Sequence, residues 1–335
     1  MATATDHLRR AAWLCGLDRE ELAAENGHGA RTEPDSSLLA KLLVCPRCRC
    51  DLEWREREIR CTDCGAVYEN ADGVPVLLPG SRKAQKEEQA SYFDGADPEF
   101  EITRPHGTPW LYRWMLADKF RRSLDALPAP EGLTTAATIC GGSGMDAEFL
   151  ARAGLSVIST DISLGAARRT QERAHRFGFE VFPVVADAEA LPFRDHSVDL
   201  VYVHDGLHHL ESPEQGLREM LRISRTAISI NEPARAQATL LAARIGLAEH
   251  YEEAGNFIAR LDPKQVAAEV SAAGFEVVKN ERFAMVYRHE PGRPARILSQ
   301  PGLRAIMRGG LVAFNAAAGA VGNKLALQAV RRDAA

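Results

Sequence analysis

Five short, mostly apolar runs succeed one another along the middle of the chain: Ala137 to Cys140, Val157 to Asp161, Val181 to Asp187, Leu200 to His204 and Ala227 to Asn231. Most of the segments between them carry helical spacing. Parallel neighbours need a long crossover connection, which is usually a helix, so this alternation predicts a doubly wound, parallel α/β sheet. Phe275 to Lys279 and Leu325 to Val330 read as two further strands. Ligands of open α/β sheets bind beyond the carboxyl ends of the strands, so the residues that follow each run are where chemistry is expected.

The first run ends in Cys140-Gly141-Gly142-Ser143-Gly144, and Met145 to Ala153 then reads as a helix with Asp146 and Glu148 in its first turns. Glycines let backbone approach a ligand closely, yet any tight strand-to-helix turn looks similar, and Gly142, Gly144 and Ala147 also satisfy a loose dinucleotide pattern. Asp161 ends the next strand, with Ile162 and Ser163 beside it. A carboxylate there can accept hydrogen bonds from both hydroxyls of a ribose, or cap a helix. The third run leads into Asp187-Ala188-Glu189-Ala190-Leu191-Pro192-Phe193, and Ser197 to Tyr202 follows.

In order and spacing, these segments resemble the motifs of the class I S-adenosylmethionine-dependent methyltransferases over residues 134–233. The resemblance implies a Rossmann-like methyltransferase sheet. It implies that Cys140, Gly141, Gly142, Ser143 and Gly144 hold the methionine part of the cofactor, Asp161 with Ile162 and Ser163 the ribose, and Asp187 with Ala188 the adenine, with His204 also touching cofactor. A dehydrogenase competes for the glycine turn, but nicotinamide binding does not call for the Asp187 to Tyr202 segment. Two positions depart from the family, which usually has an acidic residue at Thr138 and a glycine at Cys140.

A second signal lies upstream. Cys45-Pro46-Arg47-Cys48 and Cys61-Thr62-Asp63-Cys64 are separated by twelve residues, and each pair can supply two corners of a tetrahedron around Zn2+. Four protein thiolates leave no open coordination position, so such a metal is structural. Cys50 is read as a bystander. With Leu52, Tyr68 and Asp72 to Leu78, residues 39–79 resemble the small zinc-ribbon family whose free-standing members activate methyltransferases. Residues 39–80 hold six Lys and Arg against seven Asp and Glu, which favours scaffolding over phosphate binding.

The candidates for chemistry cluster near the fourth and fifth strands: His204, His208 and His209, then Glu232. Histidine titrates near neutral pH, so His208 or His209 is a candidate base, with packing or loop ordering as the alternative role. Glu232 is read as binding acceptor hydroxyls or assisting a histidine, or else as a solvated carboxylate. Glu249 to Asn256 is read as an exposed helix face or as a segment over the acceptor pocket, and Tyr287-Arg288-His289 is a polar cluster without an assigned role. After the fourth strand stands His204-Asp205-Gly206-Leu207 instead of the Asn/Asp-Pro-Pro-aromatic motif of enzymes that methylate base amino groups. Cys140 is the only cysteine of the expected catalytic domain, which argues against a thiol nucleophile.

The resulting expectation has four parts: an N-terminal helical appendage at 1–38, a zinc ribbon at 39–80, a linker and cap helix at 81–133, and a methyltransferase domain at 134–335. Lid segments are expected at about 234–265 and 288–322. A net charge of −5 gives no general attraction to phosphate, no signal-peptide core can be drawn, and no stretch is apolar enough to span a bilayer, so a cytoplasmic protein is expected. The acceptor is expected to be a small organic molecule methylated on oxygen or carbon. The rivals are an RNA methyltransferase that docks its substrate through the ribbon, and a non-catalytic adaptor. The Pro-, Gly- and Ala-rich segment from Tyr287 to Lys324 is read as a lid or as a homo-oligomer contact.

Overall fold

The computed structural model describes residues 36–80, 84–127, 133–235, 261–285 and 289–332. Most of the N-terminal appendage, the Glu249 to Asn256 cluster, Tyr287 and Arg288 lie outside the described residues. A short helix α1 (Ser36–Leu42) precedes four small strands, β1 (Leu52–Trp54), β2 (Glu58–Cys61), β3 (Val67–Ala71) and β4 (Val74–Leu77). Three helices follow: α2 (Ala84–Asp94), α3 (Pro98–Thr103) and α4 (Trp110–Arg122). The alternating region then builds β5 (Thr135–Ile139), α5 (Met145–Arg152), β6 (Ser156–Asp161), α6 (Leu164–Phe177), β7 (Phe182–Ala186), β8 (Val198–His204), α7 (Pro213–Ile223) and β9 (Ser224–Pro233). The chain closes with α8 (Pro263–Ala272), β10 (Phe275–Phe283), α9 (Arg293–Leu298), α10 (Pro301–Ala318) and β11 (Lys324–Arg331).

The strands form one sheet in the order β1-β2-β3-β4-β7-β6-β5-β8-β9-β11-β10. From β4 to β9 the neighbours are parallel, and β11 and β10 complete the sheet antiparallel. Strands buried on both faces read as continuous apolar runs, and β5 and β7 are buried at every residue. One face is covered by α4 and α5, where Phe120 packs against Phe149 and Tyr202; the other is covered by α7 and α8 through Leu217, Met220, Val266 and Val270.

Two expectations change in detail. The cysteine-bearing segment is not set apart from the sheet, because β4 pairs in parallel with β7, Val76 opposite Val185 and Leu77 opposite Ala186. Leu39, Leu43, Ile59 and Leu77 share one core with Val184 and Phe193. The physical reason is the edge of β7: an apolar strand left unpaired would present bare backbone groups, and β4 covers them. The linker expected to open 81–133 is instead the helix α2, which buries Lys86, Gln89 and Ala90.

Candidate functional site

The site is assembled at the carboxyl ends of β5, β6, β7 and β8, around a cavity of about 1410 Å³. At the end of β5 the chain turns sharply. Gly141 N–H donates to Thr160 O (2.8 Å), and a Cβ added to Gly141 would come within 2.7 Å of Thr138 Oγ1, so no side chain fits. Thr138 Oγ1 donates to Ser159 Oγ at 2.9 Å, which satisfies this buried hydroxyl inside the fold and accounts for a neutral residue beneath the turn. Cys140 adopts a positive φ of 53° where glycine would be unstrained. Burial, with the carboxylates of Asp161, Glu232, Asp187 and Glu189 around it, pushes the Cys140 thiol well above its ordinary pKa, so it stays protonated.

Asp161 ties the turn to the next strand. Its Oδ2 accepts from Gly142 N–H and its Oδ1 from Ser163 N–H, both at 2.9 Å. Burial raises the carboxyl's pKa in spite of these donors. Each oxygen keeps a second lone pair, so the group can still accept ligand hydroxyls. Cys140, Gly141, Gly142, Ser143, Asp161 and Ile162 line the cavity. Gly144 and Ser163 stand behind it. Gly144 (φ 80°) begins α5, and Ser163 Oγ caps α6 by accepting from Ala166 N–H.

Asp187 and Ala188 also line the cavity, and Asp187 is not bare. Lys86 of α2 reaches it, with Nζ at 2.6 Å from Asp187 Oδ2 and 3.0 Å from Glu189 Oε2. The same helix is anchored by Arg169, which donates to Ser143 Oγ and Phe93 O, and by Asp94, which accepts from Ser163 Oγ and Gly165 N–H. Sequence reasoning missed Lys86 and Arg169, because nothing distinguishes either from a solvated charge until the helices are packed.

At the far end, His204 Nδ1 lies 3.0 Å from both Asp146 oxygens. Its Nε2 is buried, 3.5 Å from Asp205 Oδ2, and makes no hydrogen bond among the described residues. An orphaned buried donor or acceptor on a cavity wall marks a place for a ligand atom. Asp205 is ion-paired with Lys119 and with Lys324 (2.8 Å). Burial alone would raise the Asp205 carboxyl, but the two ammonium groups hold it well below the usual carboxylate range.

His208 and His209 face the cavity, with ring centroids 4.2 Å apart. Glu232 does not. Fully buried, it accepts from Gly206 N–H (2.7 Å) and Leu207 N–H (2.8 Å), and its Oε2 lies 2.7 Å from His208 Nδ1. Burial raises this carboxyl, and the charge and hydrogen bond of His208 outweigh that to leave it below its ordinary value. Contact between Glu232 and acceptor hydroxyls is therefore ruled out by position, and a solvated carboxylate by burial, while the other role, assisting a histidine, fits. His289 lines the cavity as well, with Nε2 at 2.6 Å from Glu101 Oε1.

The four thiols expected to hold zinc come together, their Sγ atoms all within 4.8 Å of one another. Cys48 and Cys61 are 3.3 Å apart and Cys45 and Cys64 3.7 Å, close to the roughly 3.8 Å between corners of a tetrahedron with 2.3 Å metal–sulfur bonds. Cys50 Sγ also lies within 4.8 Å of Cys48 Sγ, in a separate group with Asp63, and donates to Cys48 O.

Comparison with known proteins agrees with this geometry. Residues 138–227 match the family profile described as a methyltransferase domain. The demethylmenaquinone methyltransferase of Renibacterium salmoninarum is 32% identical over 142 residues, covering 42% of this chain and 55% of that protein. The enzyme of the same name from Corynebacterium urealyticum is 33% identical over 141 residues, covering 41% and 55%. The chain thus spans about half the length of the curated relatives it matches. In fold, the crystal structure of the cyclase SpnF aligns with a TM-score of 0.51 at 16% identity, covering 74% of this chain and 97% of that one. Residues 138–227, which include the glycine turn, are thus similar to a methyltransferase domain, and they lie on a sheet whose neighbours from β4 to β9 are parallel.

Proposed function

We propose that this protein transfers a methyl group from S-adenosylmethionine to an oxygen or carbon of a small organic acceptor. The observation that carries the reading is a single cavity that joins the glycine turn, Asp161 and Asp187 at one end to His208, backed by buried Glu232, at the other. At about 1410 Å³ it exceeds the roughly 300–1,000 Å³ of a typical single-ligand pocket, which leaves room for cofactor and acceptor together. The names of the two relatives favour an acceptor that is a small ring compound rather than a macromolecule.

When bound, the cofactor supplies an activated sulfonium methyl. The chain's task is then to orient the acceptor and take its proton. In this reading Asp161 accepts from the ribose hydroxyls, and the Asp187 and Ala188 wall holds the adenine with Lys86 closing over it. His208 receives the acceptor proton, and Glu232 holds the ring in place and stabilises the imidazolium. His204 Nε2 offers a further polar contact between the two ligands. Apart from this chemistry, the four cysteines hold a structural Zn2+ whose closed coordination braces β1 to β4.

A calorimetric titration with S-adenosylmethionine tests the cofactor site. Asp161→Ala should weaken binding on the order of a hundredfold, since two hydrogen bonds to a charged group are lost. Unchanged affinity would overturn the ribose assignment. Labelled methyl groups offered to small-molecule and RNA fractions of an extract should appear in the first; transfer into RNA would move the acceptor to another class.

A further inference from the structure

We propose that α9 and α10 form a docking surface for an anionic lipid bilayer. Neither helix buries a residue completely. Along α10, Leu303, Arg304, Met307, Leu311, Asn315 and Ala318 are half-buried and the other residues are exposed. Met307 and Leu311 pack against the cluster of Trp110, Met115, Phe283 and Met285, and the Asn315 amide clamps the backbone of Ala284. The rest of the circumference should be charged if water were its only neighbour. Instead Ile306, Val312 and Phe314 are 67%, 53% and 54% exposed, with Ala305, Gly309, Ala313, Ala316 and Ala317 between them. Ile297 on α9 (62%) and Val321 after α10 (66%) extend the patch.

The charge around this patch selects the occupant. Residues 291–323 contain four arginines and no Asp, Glu or Lys, in a chain whose net charge is −5. Arg293, Arg296 and Arg308 are exposed and have no ion-pair partner among the described residues, while Arg304 lies over the Trp110 ring at 5.6 Å. A second copy of the chain suits this surface poorly. A two-fold contact sets a patch against itself, and these arginines would meet arginines with no carboxylate of the segment to pair with. No helix among the described residues is long and apolar enough to cross a membrane. An apolar helix edged by arginines and lying along the headgroup boundary meets all these observations: the apolar side chains enter the acyl region, and the guanidinium groups stay among anionic headgroups.

The place of the pair in the fold adds to this. A small cavity of about 150 Å³, lined by Trp114, Met115, Leu311, Val312 and Phe314, separates α4 from α10 and shares Met285 with the main cavity. Asn323 and Lys324, which line the main cavity, follow directly after the patch. Docking would therefore set the acceptor end of the site beside the bilayer. The inference does not depend on methyl transfer.

Flotation of the full-length protein with vesicles provides the test. The protein should float with vesicles of equal parts phosphatidylcholine and phosphatidylglycerol, should not float with phosphatidylcholine alone, and should be released by high salt. Replacing Arg293, Arg296 and Arg308 by Ala should weaken binding about fivefold for each arginine removed. The double variant Ile306→Glu, Phe314→Glu should abolish flotation while keeping the wild-type melting temperature, because these side chains bury little. Failure of the wild type to float, or flotation of the double variant like wild type, would overturn the proposal. So would a dimer in analytical ultracentrifugation that the double variant disperses, which would assign the patch to a second copy.

Discussion

The two ends of the cavity are built by different means. At the glycine-turn end most of the geometry comes from backbone groups of the neighbouring strands β5 and β6, Gly141 N–H on Thr160 O and Gly142 and Ser163 N–H on Asp161, with Lys86 of α2 closing on Asp187. At the histidine end it comes from charged side chains: His208 on Glu232, and Asp205 between Lys119 of α4 and Lys324 of β11. The first arrangement needs β5, its turn and the neighbouring strand β6 in register. The second exists only once β8, β9 and β11 lie side by side with α4 across them. An end built from turns can be perturbed locally, whereas an end built from buried charge transmits each change to its partners.

The largest effect should follow Glu232→Gln, which keeps the shape of the side chain and removes its charge. Turnover should fall by about 10²–10⁴-fold, with the pH profile of turnover displaced to lower pH as the imidazolium loses its partner, while S-adenosylmethionine affinity stays within about twofold. If calorimetry found cofactor affinity falling in parallel with turnover, the separation of the two ends would be broken.

A smaller effect is expected from Cys45→Ser. Bound zinc, measured by elemental analysis, should drop, and the melting temperature with it, by a few kcal/mol of stability at about the scale of a structural site. Because β4 is hydrogen-bonded to β7 just before Asp187, the loss should also loosen the Asp187 and Ala188 wall of the cavity. A variant that retains full zinc would remove the four-cysteine assignment.

The smallest effect should come from Cys140→Gly. Relief of a left-handed residue gains about 1 kcal/mol and loss of a partly buried thiol costs a similar amount, so stability should move by less than about 1 kcal/mol in denaturant titration. A loss well beyond that would mean that the thiol, rather than the turn, shapes this end.

Much of the glycine-turn end of the cavity could be read from the chain. Gly141, Asp161 and Asp187 announce themselves because a turn, a strand end and their spacing are local properties. The cysteine pairs are legible for the same reason, each knuckle being four residues long. Lys86, Lys119, Arg169 and Lys324 could not be read, since a lysine or arginine in a charged stretch looks solvated until packing buries it. Glu232 was half legible: its nearness to the site followed from the end of the fifth strand, but not its direction, which points away from the cavity and toward two backbone N–H groups and His208.

By itself, then, the sequence determined the order of strands and helices, the glycine turn with its aspartate, and the grouping of cysteines, because each follows from backbone preferences over a few residues. Tertiary structure alone decided that the cysteine-bearing segment joins the main sheet through β4, that α2 closes over Asp187, that His208 is held by Glu232, and that α9 and α10 are left outside with an apolar face uncovered. Those outcomes depend on which surfaces meet, and burial, charge pairing and the covering of a strand edge act between residues that may be a hundred or more positions apart.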